Sequence, residues 1–115
     1  MAYQLLHHTG CGTSRKGLAL LQEHGIEPDI RKYMNQSEQL SEAELRDIAA
    51  QLGAASPREF LREKDAVKFE LADDADDDAV FAAMAENPRL IQRPIGINGG
   101  RAALGRPIER LLDIT

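Results

Sequence analysis

YQLLHHTGCGTSRKGLALLQEHGIEPDIRKYM, Tyr3 to Met34, is the stretch that decides the fold. Tyr3 to His7 is a short, mostly apolar run suited to a strand, and Gly10 and Gly12 interrupt it. Thr13 or Ser14 is placed to cap a helix with Leu18, Leu20 and Leu21 as its apolar face. That helix stops near His24-Gly25, with glycine in its usual place beyond the end. After a turn at Glu27-Pro28, Asp29 to Met34 alternates, with Ile30, Lys32 and Met34 on one side and Arg31 and Tyr33 on the other, which predicts a second strand. Strand, helix, strand over roughly 30 residues is a βαβ unit, and its right-handed crossover makes the strands parallel.

The middle of the chain reads as helical. Ser41-Glu42-Ala43-Glu44 is a capping box that opens a helix with Leu45, Ile48, Ala49 and Leu52 on one face and Gly53 at its end. Ser56-Pro57-Arg58-Glu59 is a second box, opening a short helix through Phe60 and Leu61. Asp73 to Asp78 leads into a third helical run, Ala79 to Met84. Its five aspartates suit the positive end of a helix dipole, and no histidine or spaced glutamate completes a cage, so no metal is expected. Asn87-Pro88 ends that helix. Ile95 to Ile97, a turn at Asn98-Gly99-Gly100, and Arg101 to Leu104 predict a β-hairpin, with a last helix from about Ile108 to Ile114. The expected fold is α/β, a mixed four-stranded sheet with helices packed on it and a helical insert at about residues 36–86, in a single domain over 1–115.

Composition narrows the function classes. A length of 115 residues with 43% hydrophobic suits one core and is too short for two. Nothing resembles a signal sequence or approaches the roughly 20 apolar residues of a membrane helix, so a cytoplasmic protein is expected, with no membrane partner. A net charge of −5 argues against broad nucleic-acid binding, since affinity for phosphate backbones is largely electrostatic. The single cysteine excludes an internal disulfide, so any redox chemistry at Cys11 borrows a second thiol from outside.

Cys11 lies between a strand end and a helix start, where free backbone N–H groups and the helix dipole stabilise a thiolate. Gly10 and Gly12 allow close approach of a ligand to the backbone, and Thr13 and Ser14 add hydroxyl donors, so the loop suits an oxyanion. His7 stands one strand-end behind the thiol, either to influence it or as a structural histidine, with His8 more exposed. A phosphatase-type loop would carry arginine six residues after the cysteine, where Gly17 stands, and Ser14 replaces the second cysteine of a Cys-x-x-Cys pair. Arg62, Arg93 and Arg106 are not explained by periodicity. Arg93 and Arg106 each precede proline, which favours loops, and Arg93-Pro94 is a candidate cis bond. Three guanidiniums can hold a tetrahedral oxyanion while a thiolate attacks its centre.

His7-x-x-x-Cys11-Gly12-Thr13-Ser14-Arg15, Phe60-Leu61-Arg62, Leu90-Ile91-Gln92-Arg93-Pro94-Ile95 and Gly105-Arg106-Pro107, in this order, resemble the glutaredoxin-dependent arsenate reductases over nearly the whole chain. The resemblance implies a thioredoxin/glutaredoxin-like fold with an inserted helical segment. It implies Cys11 as the nucleophile that forms a thiol–arsenate adduct, His7 as a group tuning its ionisation, and Arg62, Arg93 and Arg106 as binders of the arsenate oxyanion. No tightly bound cofactor is implied, and glutathione and glutaredoxin serve as external reductants. The chain departs from the family pattern at His8-Thr9-Gly10, and its Glu63–Asp78 region is shorter and more acidic. Two alternatives stay open: a glutathione-dependent thiol oxidoreductase acting on another substrate, and an Spx-like adaptor binding RNA polymerase, a group that usually carries Cys-x-x-Cys.

Overall fold

The computed structural model describes residues 3–115. β1 (Gln4–Leu6) runs parallel to β2 (Asp29–Arg31) and antiparallel to β3 (Ile95–Asn98), which pairs in turn with antiparallel β4 (Arg101–Leu104), giving the sheet order β2-β1-β3-β4. α1 (Gly12–Glu23) is the crossover between the two parallel strands. Between β2 and β3 lie α2 (Glu42–Leu52), α3 (Glu63–Lys68) and α4 (Asp77–Glu86), with 3₁₀ turns at Gln36–Glu38, Pro57–Phe60 and Pro88–Leu90. A further 3₁₀ segment, Ile108–Ile114, follows β4. This is an α/β, thioredoxin-like arrangement built on a mixed four-stranded sheet.

Alternation along β1 sends its neighbours into two cores, because successive strand side chains point to opposite faces. Leu5 packs with Tyr3, Leu21, Leu111 and Ile114, between the sheet and α1 with the C-terminal segment. Leu6 packs with Tyr33, Leu45, Phe60, Phe81 and Met84, between the sheet and the inserted helices. Gly17 lets α1 lie close: a methyl group there would sit 2.9 Å from both Leu111 Cδ1 and Pro94 Cγ. Among the described residues no helix is long and apolar enough to cross a membrane.

Several boundaries differ from the sequence reading. The helix after Cys11 begins at Gly12, with Cys11 itself in the N-cap position; neither Thr13 nor Ser14 caps it, because the Ser14 hydroxyl is turned into the protein. The second strand stops at Arg31, where the Arg31 guanidinium is held by the Glu44 carboxylate and the carbonyls of Glu38 and Gln39, and the chain bends away. Tyr33 faces the core and Ile30 is exposed. The capping box at Ser41 and Glu44 forms as expected, with both reciprocal bonds at 3.1 Å and Gly53 left-handed at the end. The second box yields only a 3₁₀ turn. Ser56 Oγ accepts from Arg58 N–H, while the Glu59 carboxylate reaches Ala55 N–H instead of closing the box. α3 was not anticipated. The acidic cluster is consumed structurally: Asp76 Oδ1 caps α4 through Ala79 N–H, Asp77 accepts from Ser56, and Asp78 pairs with Arg46.

Candidate active site

Sheet register brings the reactive residues to one end of the molecule. Leu6 opposes Ile95, and Ile95 opposes Leu104. Because β3 runs antiparallel to both its neighbours, the loop leaving β1, the loop entering β3 and the loop leaving β4 share one edge of the sheet. Cys11 sits on the first, Arg93 on the second and Arg106 on the third. The ladder continues one step outward, with Gly105 N–H donating to Pro94 O at 2.8 Å, and beyond it the Arg106 side chain reaches across, Nε to Arg93 O at 3.0 Å. Both Arg93-Pro94 and Arg106-Pro107 are cis.

Cys11 is half-buried at the N-terminus of α1, and Arg106 Nη2 lies 3.9 Å from its Sγ. Burial pushes the thiol's pKa up. The N–H of Ser14, the Arg93 guanidinium and the N–H of Thr13 outweigh it, so Cys11 ionises below an ordinary cysteine. Arg93 is buried at 7% exposure; its Nη1 donates to the carbonyls of Arg89 and Ile91, and its Nε has no partner among the described residues. An unpaired donor of a buried cation is costly unless an anion arrives to take it.

The loop before Cys11 is a tight turn, closed by Cys11 N–H to His8 O at 3.0 Å and braced by Arg15 Nη1 to Thr9 O at 2.7 Å. His7 is buried and its Nδ1 lies 2.7 Å from Ser14 Oγ, which also accepts the N–H of His8. Ser14 Oγ thus joins the His8 backbone to the His7 ring, the direction of the Nδ1 bond following the histidine tautomer. Burial, then Lys32 and Arg15, lower the His7 pKa and favour the neutral imidazole. His7 therefore reaches the thiol's surroundings through Ser14, whose hydroxyl is engaged by His7 and His8 while its backbone N–H favours the Cys11 thiolate. Thr13 contributes its N–H in the same way, and Gly12 is exposed, a methyl there meeting only Arg15 Nη2 at 3.7 Å.

The ArsC family profile matches residues 6–114. This chain belongs to the ArsC family. It is 41% identical over 111 residues to an arsenate reductase of Neisseria meningitidis serogroup A, across 94% of this chain and 93% of that one. An arsenate reductase of Haemophilus influenzae is 40% identical across 99% of both chains. The solved arsenate reductase of Vibrio cholerae superposes with a TM-score of 0.91 at 41% identity, over all of this chain and 98% of its own.

In this ArsC chain Arg62 is brought to the site by a short cross-connection. Leu61 bridges Ile91, Arg62 N–H donates to Leu90 O at 2.7 Å, and Gln92 N–H to Phe60 O at 2.8 Å. Its side chain is held by Asp65, Nε to Oδ2 at 2.8 Å, and among the described residues no hydrogen bond joins it to Cys11. Its charge nevertheless reaches His8, whose pKa is lowered by burial and then by Arg93, Arg89, His7 and Arg62. Sequence reasoning missed Tyr33, which is fully buried behind the site with its ionisation pushed up to about 12 by burial, and Asp65, which positions Arg62. The Arg62-x-x-Asp65 spacing at a helix start was the available signal for the second.

Proposed function

We propose that this ArsC chain reduces arsenate to arsenite through a covalent adduct on Cys11. The observation that carries this reading is the convergence of Arg93 and Arg106 on one thiolate at a helix N-terminus. Such a site attracts a tetrahedral oxyanion and supplies the attacking atom. The Cys11 thiolate forms a sulfur–arsenic bond and an arsenate oxygen leaves as water, with Arg93, Arg106 and Arg62 offsetting charge on the remaining oxygens. Glutathione then supplies the second thiol. Two electrons pass to arsenic, As(V) becomes As(III), and the sulfurs of Cys11 and glutathione are joined as a disulfide. Glutaredoxin with further glutathione restores Cys11. The lone cysteine requires these outside thiols, which are kept reduced in the cytoplasm, where we place the protein.

Purified protein supplied with arsenate, glutathione, glutaredoxin and a glutathione-recycling system is expected to consume arsenate, and Cys11→Ser to abolish consumption. Glutathione binding without arsenate turnover in the wild type would overturn the assignment. Reduction of glutathionylated peptide that is indifferent to Arg106→Ala would favour a general thiol oxidoreductase instead.

A further inference from the structure

Against His8 in the turn before the thiol, on the side of the inserted helices, lies a cavity of about 370 Å³. His8, Gln39, Asn87 and Arg89 form its polar part, and Met34 and Phe69 its apolar part. The chain carries 19 acidic residues, yet no carboxylate lines this cavity. The ion pairs formed among the described residues involve Arg31, Arg46 and Arg62, which leaves the exposed Arg89 guanidinium without a carboxylate. Phe69 is 41% exposed, a large apolar ring presented at the rim. The cavity shares its wall with the reactive thiol: His8 O accepts the Cys11 N–H, and Arg93, whose guanidinium lowers the Cys11 pKa, donates through Nη1 to Arg89 O.

Resting on the arsenate-reductase reading, we propose that this cavity is the seat of the reducing thiol, with a carboxylate of glutathione on Arg89, its amides on Gln39 and Asn87, and its body against Met34 and Phe69. A bare oxyanion would fill only the cationic part. A peptide with free carboxylates and an apolar flank uses both, and from this seat its sulfur approaches arsenic held on Cys11 from the His8 side. The departure at His8-Thr9-Gly10 belongs to the same wall: a methyl group on Gly10 would meet the His8 ring at 3.1 Å, so the small residue accommodates the imidazole that faces the cavity.

The test uses wild type and Arg89→Ala, a change that leaves in place the Arg89 carbonyl on which Arg93 depends. S-methylglutathione, which cannot react, is titrated while amide resonances are followed. Saturable shifts at His8, Gln39, Phe69 and Arg89 are expected, with affinity about tenfold weaker in Arg89→Ala and for the doubly esterified peptide, the loss of one charge-assisted contact. Equal affinity in both proteins, shifts confined elsewhere, or inorganic phosphate binding the same residues as tightly would overturn the proposal. In the coupled assay Arg89→Ala should raise the glutathione concentration for half-maximal rate by a similar factor, with the half-saturating arsenate concentration unmoved. Absence of arsenate turnover in wild type would count against the proposed reaction alone, since the binding titration does not depend on it.

Discussion

Replacing Arg106 by alanine separates two roles that one guanidinium performs. Arg106 Nη2 stands 3.9 Å from Cys11 Sγ, and both side chains are partly open to water. A unit charge pair at about 4 Å is worth about 1 kcal/mol in water and about 4 kcal/mol at an effective dielectric of about 20. For a half-exposed pair the lower part of that range applies, about 1–2 kcal/mol, so the Cys11 pKa should rise by about one unit in Arg106→Ala. Thiolate absorbance against pH, and the rate of Cys11 alkylation against pH, both read this shift directly. A one-unit rise removes at most about tenfold of the thiolate at a fixed pH below both pKa values. Arsenate turnover measured above both values, where Cys11 is ionised in either protein, isolates the remaining role. There a further loss of about 10²–10³ is expected if Arg106 stabilises charge on arsenate oxygens. A pKa shift below about 0.3 units would refute the electrostatic argument, and equal turnover at high pH would refute oxyanion stabilisation by Arg106.

Ser14→Ala leaves the buried His7 Nδ1 and the half-buried His8 N–H without their common partner, at about 1–3 kcal/mol for the buried group, so a loss of at least about 1 kcal/mol is expected in urea unfolding. The folded His7 pKa lies below the unfolded value of about 6.5, so its contribution to stability is present above about pH 6.5 and is lost as pH falls through the lowered folded value; a urea midpoint that does not decline from about pH 7 to 5 would contradict this. Gly17→Ala would gain about 1 kcal/mol in an open helix, but its methyl collides with Leu111 and Pro94, and overpacking of about 1–3 kcal/mol should give a net fall in thermal midpoint. Glu70 is the one non-glycine residue with positive φ among the described residues, at 59°, so Glu70→Gly should raise the urea midpoint by the equivalent of about 0.5 kcal/mol, and a decrease would count against strain there.

What was legible in the sequence was whatever local hydrogen bonding dictates. Ser41 and Glu44 satisfy each other within one turn, and Gly99-Gly100 adopts the positive φ values, 60° and 80°, that a two-residue hairpin turn requires, so the α2 start and the β3–β4 hairpin could be read directly. Cys11 at a strand-to-helix junction was readable for the same reason. The direction of the Ser14 hydroxyl was not, because it depends on His7 and His8, which lie on the preceding strand end and turn. Arg31 looked like an ordinary strand residue, yet it is the last of β2, its guanidinium taken by Glu44 and the chain turning at Lys32–Asn35 just beyond it. That contact depends on how α2 packs over the sheet, which no local pattern specifies. The same holds for Arg62, whose partner Asp65 belongs to a helix too short to announce itself.

The arginine clamp was more legible than a list of arginines suggests. Once a two-residue turn is placed at Gly99-Gly100, antiparallel pairing sets every opposition along the hairpin, from Asn98 with Arg101 to Ile95 with Leu104. Extending that register two steps outward sets Arg93 opposite Arg106, and Arg106 Nε does reach Arg93 O. Pairing of β1 with β3 then places Leu6 beside Ile95, so the loop bearing Cys11 emerges at the same edge. The loops bearing the thiol and two of its cations are therefore brought together by one backbone ladder that ends at Gly105 and Pro94, with the Arg106 side chain bonding onward to Arg93 O, and a one-residue slip in the hairpin would move Arg106 along the edge while leaving Arg93 in place. Arg62 is outside this ladder, tied instead by the Leu61–Ile91 bridge, which explains why its charge reaches the site although its side chain is committed to Asp65.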